Sequence, residues 1–280
     1  MTTHCRDLTD TEIATFRRER VVCVKQIIGE EFLQRLRTAS YAQQQNPTRW
    51  AGDFTEKDST GQFFMDRHMH AYQTHWREIL FESGQGRVAA QAMGVAQIRA
   101  YFDHLWMHAP NTPQDFDWHQ DLPYWPFKGR DICSIWIALE PDSTIEFVRG
   151  SGTWGKWFRP VLPGGEITTD LKDWVGASYQ DEMPDFGADP ARWEFITYEI
   201  EAGDAIVFDG AIVHKLPGNL HPTRWKIGLS TRFLGDEAYW DPRPGTDPII
   251  GQDDVQVQPG ARAVDPAFPL LWQNGEELRA

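Results

Sequence analysis

From about residue 97 the chain breaks into short β-type runs closed by turn residues, and this punctuation limits the fold more than any other feature. The runs cover 98–108, 132–139, 144–148, 196–200, 205–208 and 225–233. Between them stand Asn111-Thr112-Pro113, Gly129, Pro141-Asp142-Ser143, Gly150, Gly203-Asp204 and Pro217-Gly218-Asn219, residues that set turn dihedrals or cannot continue a ladder. Six or more such strands predict a mainly β fold, a jelly roll or barrel. Residues 159–195, rich in Gly, Pro and Asp, interrupt the series and predict a long loop or lid.

The N-terminal third predicts flanking helices. Thr9-Asp10-Thr11-Glu12 carries the signature of a capping box. A β-branched strand over 21–24 follows, then a helix over 29–45 with Phe32, Leu33 and Leu36 as its apolar stripe, stopped by Asn46-Pro47. A further helical region over 76–93 is broken at Gly84-Gln85-Gly86. The chain predicts one domain over 1–280: helices 1–96 on a jelly-roll core 97–235, with a C-terminal wrap over 236–280.

Charge removes several partners. Lys plus Arg is 27 and Asp plus Glu is 41, giving −14, which argues against nucleic acid and against an anionic membrane surface. Cys5, Cys23 and Cys133 are odd in number with no CxxC spacing, so neither a disulfide framework nor a thiolate zinc site is expected. The opening MTTHCRDLTDTE has no signal-peptide pattern. The most apolar stretch, 88–106, contains Gln91, Gln97, Arg99 and Asp103, so it does not read as a membrane span. The expectation is a cytoplasmic protein acting on a small molecule.

The chemistry concentrates at His119-Gln120-Asp121. Two residues apart on a strand, an imidazole and a carboxylate share a face and can converge on one ion. A second His must complete the set, and His214, after the turn and strand 203–208, is the best candidate. Two His and one carboxylate form the facial triad of non-haem Fe(II) oxygenases. In a chain with nine His, HxD alone also arises by chance as a surface pair; the order of motif, strand and second His raises its weight. Arg224, ten residues beyond His214, supplies a guanidinium for a cosubstrate carboxylate. Arg232, eight residues later, competes for that role.

The segments HQDLPYWPFKGRDICSIWIALEP, IEFVRGS and GDAIVFDGAIVHKLPGN, followed by RWKIGL, resemble the phytanoyl-CoA dioxygenase family. The resemblance extends from the N-terminal elements to Phe233. It implies a double-stranded β-helix (a jelly roll, cupin-like barrel) and a single Fe(II)/2-oxoglutarate dioxygenase domain using O2. His119, Asp121 and His214 match the iron ligands, and Arg224 the arginine facing the distal carboxylate of 2-oxoglutarate. Gln120, Trp136 and His104 match cosubstrate-pocket positions. The chain departs from the family at Leu216, where Ser or Thr is frequent, at Phe63, where some members carry Lys, and at Asp142-Ser143, where Asn-Gly is usual.

The reaction implied is oxidative decarboxylation of 2-oxoglutarate to succinate and CO2, coupled to hydroxylation of an unactivated C–H bond. Related halogenases replace the metal carboxylate by Gly or Ala, and this chain keeps Asp121. Phe63, Trp118, Tyr124, Trp125 and Trp157 are candidate walls of a hydrophobic substrate pocket, suiting a secondary-metabolite or fatty-acyl unit. Two other classes stand beside this reading: a non-catalytic binding protein of the same fold, and a cupin-like metalloprotein with no cosubstrate.

Overall fold

The structure is a computed structural model, described here over residues 3–55, 61–160 and 181–279. In chain order its helices are α1 (Asp10–Glu19), α2 (Glu30–Gln45), α3 (Met69–Tyr72), α4 (Thr74–Glu82) and α5 (Gln85–Met93). The strands preceding the metal motif are β1 (Val21–Val24), β2 (Gly52–Asp53), β3 (Phe63–Arg67) and β4 (Gln97–His108). Next come β5 (Phe116–His119), β6 (Phe127–Gly129), β7 (Ile132–Ala138), β8 (Glu146–Val148) and β9 (Phe195–Ile196). The last are β10 (Ala205–Asp209), β11 (His214–Leu216), β12 (Lys226–Leu234), β13 (Ala238–Trp240), β14 (Leu270–Gln273) and β15 (Glu276–Glu277).

All strand pairs are antiparallel, in two sheets that face each other without closing into a barrel. The larger runs β1-β10-β7-β12-β4, with β3 along the C-terminal half of β4 and β14 along its start. The smaller runs β5-β11-β8-β9, and β6 pairs with β13 in a separate ribbon. This is the expected jelly roll with flanking helices.

Alternation along the large sheet divides the core. Leu105, Met107, Ile135, Ile137, Ile227 and Leu229 face the helices, packing with Phe32, Leu36, Ile79, Leu80 and Val88. Phe102, Trp106, Trp136, Ala138, Ile206 and Phe208 turn the other way, into the space between the sheets. The Thr9 capping box forms as predicted. The 76–93 region divides into α4 and α5 at Gly84, whose φ of +76° is costly for residues with a Cβ.

Three expectations shift. The strand over 144–148 begins only at Glu146, because Asp142, with φ +60°, opens a turn that Thr144 N–H closes on Asp142 O at 2.9 Å. The strand over 196–200 shrinks to Phe195–Ile196. The C-terminal wrap contributes β13, β14 and β15 as well as irregular chain. Of the predicted lid over 159–195, residues 161–180 lie outside the described residues.

Candidate metal centre and cavity

β5 and β11 lie side by side with His119 directly opposite His214, so register alone brings the two rings to a centroid separation of 4.2 Å. Asp121 arrives differently from the sequence expectation. The strand ends at His119, and Asp121 has helical dihedrals (φ −70°, ψ −44°) at the head of the 3-10 turn Leu122–Tyr124. Leu122 N–H anchors that turn on Gly210 O at 2.7 Å. A turn, not strand alternation, swings the carboxylate under the histidines.

Asp121 Oδ1 lies 3.9 Å from His119 Nε2 and 3.9 Å from His214 Nε2. These separations exceed hydrogen-bond length but are shorter than two metal–ligand bonds of about 2.1 Å laid end to end. The three residues are the group of potential metal donors found among the described residues, with ligand atoms within 4.8 Å of one another. Each histidine places Nδ1 against a backbone carbonyl: His119 on Asp117 O at 2.7 Å, His214 on Ile212 O at 3.0 Å. This puts the proton on Nδ1 and leaves the Nε2 lone pair toward the shared point.

Burial holds the His119 imidazole well below its usual pKa, and the adjacent His214 adds to the effect. Burial lowers His214 as well, against the opposing pull of Asp121. Both rings are therefore neutral and free to donate lone pairs. Ser134 Oγ, on β7, donates to Asp121 Oδ2 at 3.0 Å and leaves Oδ1 facing the histidines. Two neutral imidazoles, one oriented carboxylate and a supporting hydroxyl fit Fe(II).

The centre opens into a cavity of about 70 Å³ between the sheets. Its apolar walls include Phe54, Met65, Phe102, Trp106, Phe116, Tyr124 and Trp125, with His104 among them. Four charged residues line it: Asp121, Arg67, Asp247 and Arg232. Arg67 Nη1 pairs with Asp247 Oδ2 at 2.5 Å, which ties β3 to the C-terminal segment. Arg232 is 5 % exposed and lies over the Phe102 ring at 4.7 Å and the Trp125 ring at 5.8 Å.

The sequence candidates fall into different places. Tyr124, Trp125 and His104 line the cavity; the His104 ring stacks on Trp106 at 4.2 Å. Trp136 is buried between the sheets, its Nε1–H on Ser143 O at 3.3 Å, over the backbone of Gly228. Phe63 is buried deeper, 3.9 Å from the His108 ring, and is not part of the cavity wall. Gln120 spends its amide on backbone: Nε2 donates to Lys156 O and Ala211 O, and Oε1 accepts from Phe158 N–H. Trp118 packs away from the cavity against Phe186 and Phe195, and Trp157 lies under the Arg243 guanidinium.

Arg224 does not line the cavity. It precedes β12, its side chain is 35 % exposed, and its guanidinium pairs with Asp142. The buried cation at this end is Lys226, the first residue of β12, only 6 % exposed, though it too is not part of the cavity wall. Its Nζ donates to Pro217 O at 2.5 Å, and among the described residues no carboxylate pairs with it. Burial pushes its pKa down to about 7. Directly across the ladder stands His108, whose buried Nε2 has no hydrogen-bond partner.

Sequence reasoning missed Ser134, Lys226, Arg67, Asp247 and the walls Met65, Trp106 and Phe116. Ser134 was within reach, since it lies two residues before Trp136 and so on the same strand face. Asp247, from a Pro-rich tail, carried no such signal.

The family model described as phytanoyl-CoA dioxygenase (PhyH) matches residues 16–222, a span that holds all three candidate metal ligands. No curated protein matches the sequence. Among solved structures, the non-heme alpha ketoglutarate dependent carbocyclase SnoK from nogalamycin biosynthesis is similar at TM-score 0.69 and 15% identity, over 96% of this chain and 99% of that one. The epimerase SnoN, in complex with Fe3+, alpha ketoglutarate and nogalamycin RO, gives TM-score 0.67 at 16% identity, covering 93% and 97%. EvdO2 from Micromonospora carbonacea var. aurantiaca, complexed with 2-oxoglutarate, gives 0.61 at 17%, covering 88% and 100%. At such identities these likenesses establish the fold.

Proposed function

The chain belongs to the phytanoyl-CoA dioxygenase family, and we propose that it is an Fe(II)/2-oxoglutarate-dependent oxygenase hydroxylating a C–H bond of a hydrophobic small molecule. Fe(II), 2-oxoglutarate and O2 are the cofactor and cosubstrates of that family. The observation that carries the reading is the triad itself: two neutral histidines and one oriented carboxylate converge at the wall of an aromatic cavity.

His119, Asp121 and His214 would hold the metal, with Ser134 fixing the carboxylate and the two backbone carbonyls fixing the rings. Bound there, iron would supply the oxidising chemistry, using 2-oxoglutarate and O2 and leaving succinate and CO2 as coproducts. The protein's share is orientation and dryness. Phe102, Trp106, Phe116, Tyr124 and Trp125 exclude water from the reacting carbon and offer an apolar face to the substrate. For the distal carboxylate of 2-oxoglutarate, the start of β12 offers two cations two residues apart. We assign the contact to Lys226, which is buried beside His108, over Arg224, which is committed to Asp142. Burial lowers the pKa of the Lys226 amine to about 7, and an incoming carboxylate would favour its charged form.

A carbocyclase and an epimerase stand among the structural relatives, so the same machinery supports outcomes other than hydroxylation. Retention of Asp121 favours an oxygenase over a halogenase. The test is anaerobic addition of Fe(II) and 2-oxoglutarate. A weak visible charge-transfer band, absent in His214→Ala, together with succinate formed on admitting O2, is expected. Metal binding without a band or any succinate would replace this reading by a metalloprotein that uses no cosubstrate.

A further inference from the structure

Among the described residues Arg232 is the cavity-lining arginine with no carboxylate in ion-pair contact, Asp121 and Asp103 acting on it only from farther away. Arg67 is neutralised by Asp247 and Asp121 faces the two histidines, but among the described residues no carboxylate pairs with Arg232. Its Nη1 donates to Ser230 O at 3.2 Å. Its Nε is buried and has no partner, so the Nε/Nη2 edge, the side that meets a carboxylate in a two-pronged contact, is uncommitted. Phe102 and Trp125 hold the guanidinium in place by cation–π contact. A buried, immobilised guanidinium with no carboxylate in direct contact is expensive unless a ligand brings the opposite charge.

We propose that Arg232 recognises a carboxylate on the primary substrate, which is therefore an apolar acid with its carboxylate on the Phe102–Trp125 wall and its hydrocarbon along Trp106, Phe116 and Tyr124. The inference rests on the oxygenase reading above and narrows its substrate class. Along β12, Arg232 stands six residues from Lys226, about 20 Å in an extended strand. The two cations thus serve different carboxylates, and the one at the cosubstrate end is Lys226.

Matched probes separate the possibilities: 2-naphthoate and 2-naphthamide, alike in shape and different in charge, titrated by anaerobic calorimetry into the protein loaded with Fe(II) and 2-oxoglutarate. The wild type is expected to bind the acid at least tenfold more tightly than the amide. Arg232→Met should abolish that preference, keep the amide affinity and leave the 2-oxoglutarate affinity, read from the charge-transfer band, within about twofold. Arg232→Lys should restore part of the preference. Equal binding of both probes, or binding of neither, by the wild type overturns the proposal. So does a tenfold loss of 2-oxoglutarate affinity in Arg232→Met, which would transfer the residue to the cosubstrate. If neither Arg232 variant folds, the wild-type preference alone decides. Absence of the band in the wild type sinks the oxygenase reading itself, a separate outcome.

Discussion

Ser134 Oγ donates to Asp121 Oδ2 at 3.0 Å, so a hydroxyl from the large sheet leaves the other oxygen of the carboxylate facing the two histidines of the candidate metal site. The bond crosses between the sheets: Ser134 is on β7, and Asp121 is on the turn that leaves β5. Hydroxyls in this supporting position are worth about 10–100-fold in metal affinity. Ser134→Ala should weaken Fe(II) binding by about that factor with an unchanged circular dichroism spectrum. Anaerobic Fe(II) titration checks it, and wild-type affinity in the variant would show that Asp121 is oriented without Ser134. Asp121→Gly should retain iron poorly and hydroxylate little; robust turnover would mean that a carboxylate other than Asp121 is the ligand.

The choice between Lys226 and Arg224 is open to direct measurement. Lys226→Met should raise the 2-oxoglutarate KM at least about tenfold, since truncating one partner of a buried charge pair costs about 2–5 kcal/mol. Arg224→Ala loses only a part-exposed ion pair with Asp142 and should change that KM less than about threefold. The reverse pattern would return the distal carboxylate to Arg224.

Gly228 is an inward position on β12 where a side chain has no room. A Cβ there would come within 1.9 Å of Trp136 Cζ2 and 2.2 Å of Cε2. Gly228→Ala should therefore displace the indole or strain the strand, at a cost of about 1–3 kcal/mol typical of overpacked cores. A urea unfolding midpoint at or above that of the wild type would mean that Trp136 moves freely.

Acid should destabilise the metal-free protein by a traceable route. Burial lowers the pKa of His68 from 6.5 to about 4 and of His108 to about 3. Below about pH 6.5 the unfolded chain takes up protons that the folded chain refuses, so stability falls with pH until the folded-state values are reached. Asp209 acts oppositely: burial raises it from 3.8 to about 6, so the folded state binds the extra proton between those values and part of the loss is offset. His68 has φ +58°, a conformation that Asn tolerates well. His68→Asn should flatten the fall of Tm between pH 6.5 and 4; an unchanged slope would remove His68 from the account.

Much of this protein is legible in its residues taken in order. The capping box at Thr9, the helix breaks at Gly84 and Asn46-Pro47, and the turn punctuation beyond residue 97 are local signals, set by φ preferences and missing amide donors. They lead to a mainly β fold with flanking helices. The sequence also singles out His119, Asp121 and His214, which the structure brings together, although the turn that delivers Asp121 has the pattern of a strand. What only the tertiary structure decided is which polar groups lost water and what they then faced. Arg224, Lys226 and Arg232 lie within nine residues, and the even spacing places them alike by alternation. Yet Arg224 stands before the strand and meets Asp142, while Lys226 and Arg232 are buried, with no carboxylate among the described residues in ion-pair contact with either. Desolvation and register across distant strands make that distinction, and neither is a property of neighbours along the chain.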